Sequence, residues 1–94
     1  MDIEKSDIVL SAAGRDKGCA LYVLGTEGEF LLTADGKRRR VERPKRKKRR
    51  HVSFLARDNS ALAEKIRNNQ SVTNAEVRTA LAVFGELSHL DQEG

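Results

Sequence analysis

The sequence predicts an α+β chain with a small antiparallel β-barrel first and two helices after it. Five short strand-like runs, separated mostly by glycine, aspartate or proline turn signals, fill the chain up to Arg57. Helical spacing of apolar residues begins only beyond that point. No strand–helix–strand alternation occurs, which argues against a parallel sheet. The division that follows is a barrel in residues 1–57, carrying a basic arm at 37–50, and a two-helix appendage in residues 58–94.

Residues 7–12 read as a first strand, through Ile8, Val9 and Leu10. Gly14-Arg-Asp-Lys-Gly18 then forms an exposed turn whose two glycines can supply positive φ. Residues 19–25 and 29–34 read as strands two and three, with a turn at Gly25–Gly28 between them. Asp35-Gly36 favours a two-residue type I′ hairpin. That hairpin sets Ala34 opposite Lys37, Leu32 opposite Arg39 and Phe30 opposite Val41, and so places a fourth strand at about 37–43, with a bulge able to turn its arginines outward. Pro44 ends that strand or marks a sheet edge. Lys45 to Arg50 contain no apolar residue and read as an exposed, mobile loop whose charges the core does not need. Replacing Arg46, Lys47, Lys48 and Arg49 by serine is therefore expected to leave the fold intact. A fifth strand follows at 51–55.

After Arg57 the pattern changes. Asp58 or Asn59 can cap a helix running to about Asn68, with Leu62 and Ile66 on one face. Thr73-Asn-Ala-Glu76 is a capping-box pattern that opens a second helix, running to about His89. Its apolar stripe is Val77, Leu81, Phe84 and Leu87 or Ser88. Phe30 and Phe54 are expected in the core, because a small barrel needs its few large side chains inside. Phe84 reads as packing, while Tyr22 could either pack or stack on bases.

Charge is the informative part of the composition. The chain has 94 residues and a formal net charge of +4. Residues 37–50 hold eleven Lys or Arg against the single acid Glu42, which gives 11 − 1 = +10; the remainder gives 7 − 13 = −6. A mildly acidic body thus carries one dense cationic segment, which draws a polyanion to one place. A charge run can also be a solvated face, a localisation signal or a site for an acidic protein. Arginine favours phosphate, because its planar fork of donors matches phosphate oxygens.

Other classes find less support. No apolar run is long enough to span a bilayer. Met1–Asp7 is acidic, unlike a secretory signal, and a single cysteine suits a cytoplasmic protein. Cys19 reads as a small strand residue. His51 and His89 with one cysteine form no recognisable metal set. No nucleophile motif or phosphate-binding glycine loop is present, so neither an enzyme nor a cofactor is expected.

Ile8-Val-Leu-Ser11, Gly14-Arg-Asp-Lys-Gly18, Leu21-Tyr-Val-Leu24 and Asp35-Gly36 together resemble the KOW motif of RNA-binding and ribosomal proteins. The basic segment after Asp35-Gly36 is similar to that of KOW-type large-subunit ribosomal proteins of archaea and eukaryotes, and the whole chain is similar to short bacterial KOW-domain proteins related to them. Many KOW motifs carry a further glycine where this chain has Leu21. The resemblance implies an SH3-like barrel and an RNA partner, ribosomal RNA or the ribosome first. It also implies that the Arg15–Lys17 turn lies on the nucleic-acid face. The expected RNA-binding set is Arg15, Lys17, Lys37, Arg38, Arg39, Arg40, Arg43, Lys45, Arg46, Lys47, Lys48, Arg49, Arg50 and His51. The rival is a protein-interaction or transcription-accessory module binding DNA or an acidic protein. The two helices are expected to pack on the barrel, to dimerise or to contact another protein.

Overall fold

The computed structural model describes the backbone of residues 2–93 and the side chains of residues 2–84. Five antiparallel strands form one sheet: β1 (Asp7–Ser11), β2 (Ala20–Glu27), β3 (Phe30–Ala34), β4 (Lys45–Lys48) and β5 (Val52–Arg57), in the order β4-β3-β2-β1-β5. A 3-10 turn, Arg49–His51, joins β4 to β5. Two helices follow, α1 (Ala61–Arg67) and α2 (Asn74–Glu93).

Alternation along the strands sends neighbouring side chains to opposite faces, and both faces are apolar. Val9, Leu21, Val23 and Leu31, joined by Ile3, form an inner core. Ile8 and Tyr22 point the other way, onto Leu62, Ile66, Val77 and Leu81 of the helices. The helices are therefore packed on the sheet and share a core with it. Leu21 is fully buried in the inner core.

The seam between sheet and helices carries one polar strut. The Tyr22 hydroxyl donates to Asp58 Oδ2 at 2.7 Å, and the same carboxylate accepts from Ser60 Oγ and, through Oδ1, from the Ser60 amide. Burial pushes the Tyr22 hydroxyl well above its ordinary range, and the bond to Asp58 adds to the shift. Burial also works against the Asp58 charge, yet the donors Tyr22 and Ser60 outweigh it and leave that carboxyl below its ordinary value. Arg67 extends the network to Ser6 Oγ and the Asp58 carbonyl. The expected cap at Asp58 or Asn59 thus shifts to Ser60, which Asp58 holds.

The capping box forms as the sequence indicates. The Glu76 amide donates to Thr73 Oγ1 at 3.2 Å, and the Thr73 amide donates to Glu76 Oε1 at 3.0 Å. Hydrogen bonds from Lys65 and from the Thr73 amide hold the Glu76 carboxyl below its ordinary value. Val77 and Leu81 are buried and Phe84 is partly buried; the Leu87 and Ser88 side chains lie outside the described residues.

The fourth strand is a correction. Asp35-Gly36 makes no two-residue hairpin, and 37–43 is not a strand. Asp35 Oδ1 instead accepts the amides of Lys37 at 2.8 Å and Arg39 at 2.9 Å, while the amides of Asp35 and Gly36 both donate to the Arg39 carbonyl. This aspartate-centred turn opens a longer connection, residues 35–44. The strand that pairs with β3 is Lys45–Lys48, the stretch expected to be a loose loop. Phe30 faces Lys48 instead of Val41, and Leu32 faces Arg46 instead of Arg39. Pro44 precedes this edge strand rather than ending it, where a missing amide donor costs nothing.

Two core expectations also change. Phe54 lies on the edge strand β5 and is 38% exposed. Phe30 is only partly buried, and the Arg46 guanidinium covers its ring with 4.4 Å to the centroid. Tyr22 is the aromatic that is fully buried.

Candidate nucleic-acid interface

Register brings the two basic loops together. Tyr22 pairs with both Ile8 and Ala34, so β1 runs toward Ser11 and β3 runs toward Asp35 at one end of the sheet. The 12–19 turn and the 35–44 connection therefore share that end. The β2–β3 turn and the start of β1 occupy the other, with Glu27, Glu29, Glu4 and Asp7.

The turn after β1 is tight because Gly14 and Gly18 take φ of 85° and 88°, as a glycine-bounded turn requires. Ser11 organises it from inside: its amide donates to the Cys19 carbonyl, and its hydroxyl reaches Asp16 Oδ1 at 2.8 Å. Arg15 and Lys17 project from the rim, both exposed, and Cys19 is exposed beside them.

Lys47 ties this turn to β4. Its register partner is Leu31, which points into the inner core, so the lysine stem follows the same face inward. The ammonium ends at Asp16 Oδ1 and the Ala13 carbonyl, both at 2.6 Å, with the side chain 5% exposed. Burial pushes the Asp16 carboxyl up, but hydrogen bonds from Lys47 and Ser11 and the Lys47 charge bring it below its ordinary value. Asp16 Oδ2 is buried without a hydrogen-bond partner among the described residues, so Lys47 is its main compensation. Lys47 therefore serves the fold rather than the surface.

Other members of the expected set are also occupied. Arg49 Nε donates to the Gly28 carbonyl and its NH1 to the Ile3 carbonyl, at 2.7 and 2.8 Å. Arg46 pairs with Glu27 at 3.3 Å as well as covering Phe30. The segment 45–50 is thus a strand and a turn built into the body. These contacts of Arg46, Lys47 and Arg49 run against the expectation that Arg46, Lys47, Lys48 and Arg49 could be replaced together without cost to the fold.

The surface cations come from the connection. Lys37, Arg38, Arg39 and Arg43 are exposed, and no side-chain ion pair or hydrogen bond holds them among the described residues. Arg40 makes an exposed pair with Glu42 at 3.3 Å. A hydrogen bond within its own residue and others from Asn74 and Arg40 keep the Glu42 carboxyl below its ordinary value. Arg50 is exposed on the 3-10 turn, and Lys45, Lys48 and His51 are partly buried.

Carboxylates at this end are already engaged. Asp16 holds Lys47, Asp35 holds two backbone amides, and Glu42 accepts from Arg40 and Asn74. At the opposite end the cations are the engaged partners: Arg57 pairs with Asp7 at 3.2 Å, and Arg46 with Glu27. Six exposed cations, Arg15, Lys17, Lys37, Arg38, Arg39 and Arg43, are left to one end of the sheet.

The residues that shape the connection were not visible in the sequence pattern. Gly36, with φ of 80°, is buried against α2, and Asn74 accepts the Val41 amide at 2.8 Å. The available signal was Asn74 beside the capping Thr73, read only as part of a helix start. Among the described residues no group of three or more His, Cys, Asp or Glu is placed to hold a metal ion, and no helix is long and apolar enough to cross a membrane. Neither a protein-family model nor a curated protein matches the chain.

Proposed function

We propose that this chain is an RNA-binding protein of the KOW type, with structured RNA, ribosomal RNA first, held at the end of the sheet that carries the two basic loops. One observation carries the reading: the exposed cations of 12–19 and 35–44 lie at one end, while the carboxylates there are engaged by Lys47, by backbone amides, and by Arg40 and Asn74. A phosphate backbone there meets Arg15, Lys17, Lys37, Arg38, Arg39 and Arg43, none of which is ion-paired with a carboxylate among the described residues. The SH3-like barrel is supported by the strand order, by β2 pairing with β1 and, across a register shift at Val23/Gly25, with β3, and by the 3-10 turn before β5.

The mechanism is electrostatic. Each Lys or Arg that meets a phosphate releases condensed counterions, so affinity falls steeply with salt. Six contacts give a slope of log K against log salt of roughly −4 to −5, from about 0.7 to 0.9 per phosphate. Loops of this size fit the exposed backbone and wide minor groove of A-form RNA.

The test is a salt series of fluorescence anisotropy with a labelled RNA hairpin. Replacing Arg38, Arg39 and Arg43 by serine should flatten the slope by about 2 to 3. A slope near zero for the unaltered protein overturns the reading. Stronger competition by duplex DNA of equal length would move the assignment to a DNA-binding accessory factor.

A further inference from the structure

We propose that Asn74, the first residue of α2, is the positioning residue of the RNA-binding loop: it fixes the arginine connection to the helix so that its guanidinium groups meet a folded RNA at set spacing. The inference rests on the RNA-binding reading and adds to it a device for selectivity.

The connection is closed locally by Asp35, whose carboxylate gathers the amides of Lys37 and Arg39. Those bonds shape the turn but do not attach it to the body. Attachment comes from α2 at three points. Gly36 packs so tightly that a Cβ there would stand 2.5 Å from the Asn74 carbonyl oxygen and 2.8 Å from Arg78 Cγ. Arg78 NH1 donates to the Gly36 carbonyl at 2.7 Å. Asn74 Oδ1 accepts the Val41 amide, and Asn74 Nδ2 donates to Glu42 Oε1, both at 2.8 Å.

Asn74 is suited to this place because its amide offers an acceptor and a donor on adjacent atoms. The acceptor faces a backbone N–H and the donor faces a carboxylate. The side chain is 6% exposed, so water does not readily replace either bond. Val41, on the amide Asn74 holds, packs its side chain against the sheet–helix core. Arg39, Arg40 and Arg43 therefore sit within a few residues of fixed backbone.

A fixed array and a loose array of the same charges differ in what they select. Both attract any polyanion, because counterion release counts charges. Only the fixed array avoids the ordering cost when phosphates stand at set spacing. Coupling is reciprocal, so a folded RNA on the loop must tighten the first turn of α2 by the same factor.

The experiment compares Asn74→Ala with the unaltered protein, all Lys and Arg being retained. Affinities for a structured RNA hairpin and for poly(U) are measured at one salt concentration, and hydrogen exchange of the Val41 amide is followed without RNA. Affinity for the hairpin should drop about tenfold, poly(U) affinity should hold within about twofold, and Val41 protection should be lost. Asn74→Asp keeps the acceptor but sets a carboxylate against Glu42; combining it with Glu42→Gln restores a donor–acceptor pair at the original net charge. That double variant should regain most of the hairpin affinity.

Equal hairpin affinity for Asn74→Ala and the unaltered protein overturns the positioning role and leaves RNA binding standing. An equal fall for hairpin and poly(U) also overturns it, since selectivity would then be unaffected. Failure of the unaltered protein to bind either RNA overturns the RNA reading itself. If Asn74→Ala does not fold, Arg78→Lys breaks the guanidinium tie to Gly36 from an exposed side chain while keeping the charge, and the same loss of hairpin preference is required.

Discussion

Residues 37–43 and 45–49 are both dominated by Lys and Arg, yet the fold uses them in opposite ways. In the first stretch Lys37, Arg38, Arg39 and Arg43 are exposed at the surface. In the second, Lys47 is buried on Asp16, Arg46 lies over Phe30 and against Glu27, and Arg49 reaches two carbonyls. Their shared basic charge does not distinguish them. Register does: β4 is paired along β3, so its side chains are assigned to faces, whereas the connection is pinned by its backbone and by Val41 and leaves its Lys and Arg side chains to solvent. A run of like charges can contain both the glue of a domain and its binding surface.

The largest effect should come from Lys47→Ala. Removing it strands a carboxylate already held partly inside, a change that costs about 3 kcal/mol for a buried pair. The melting temperature should fall by roughly 10–20 °C in a domain of this size. The same pair predicts a pH dependence. Asp16 is depressed below its ordinary value of 3.8 in the fold, so its contribution is complete above that pH and is lost as pH falls through the lower, folded value. Acid titration of stability should be shallower in Lys47→Ala than in the unaltered protein. A variant that melts normally would erase the distinction between the two stretches.

A smaller effect is expected for Arg46→Ala. Its pair with Glu27 is well exposed and contributes little, and its cover over Phe30 is worth about 0.5–1 kcal/mol. Denaturant unfolding should show a shift of about that size. The smallest effect belongs to the triple change of Arg38, Arg39 and Arg43 to serine. Its unfolding midpoint should match the unaltered protein within about 0.5 kcal/mol, while its RNA affinity drops. Loss of stability in the triple variant would show that the connection, too, is part of the frame.

Legibility followed the range of the interactions. The first three strands were readable because Ile8 to Leu10, Leu21 to Leu24 and Leu31 carry apolar patterns that span only a few residues. The capping box was readable because Thr73 and Glu76 satisfy each other locally. β4 was not, since its pairing sets a lysine on Asp16 across 31 positions of sequence. The Asp35-Gly36 signal identified a turn but not its kind, because Asp35 spends its carboxylate on the amides of Lys37 and Arg39. Phe54 was assigned inside on size alone, which cannot reveal that its strand is an edge. Of the expected interface, the Arg15–Lys17 turn and the 37–43 arginines are exposed at the same end of the sheet; Lys47 and Arg49 were assigned there only because a basic run was read as uniform.

The Tyr22 strut gives the protein an optical property. Tyr22 is the single tyrosine, and there is no tryptophan. Ultraviolet emission therefore arises mainly from one ring, fully buried in the core shared by β1, β2 and both helices, with its hydroxyl on Asp58. Separation of the helices from the sheet would break that bond and change the ring's surroundings at once. The chain carries a built-in fluorophore at the seam it most needs to report on, and docking of the helices can be followed in unlabelled protein.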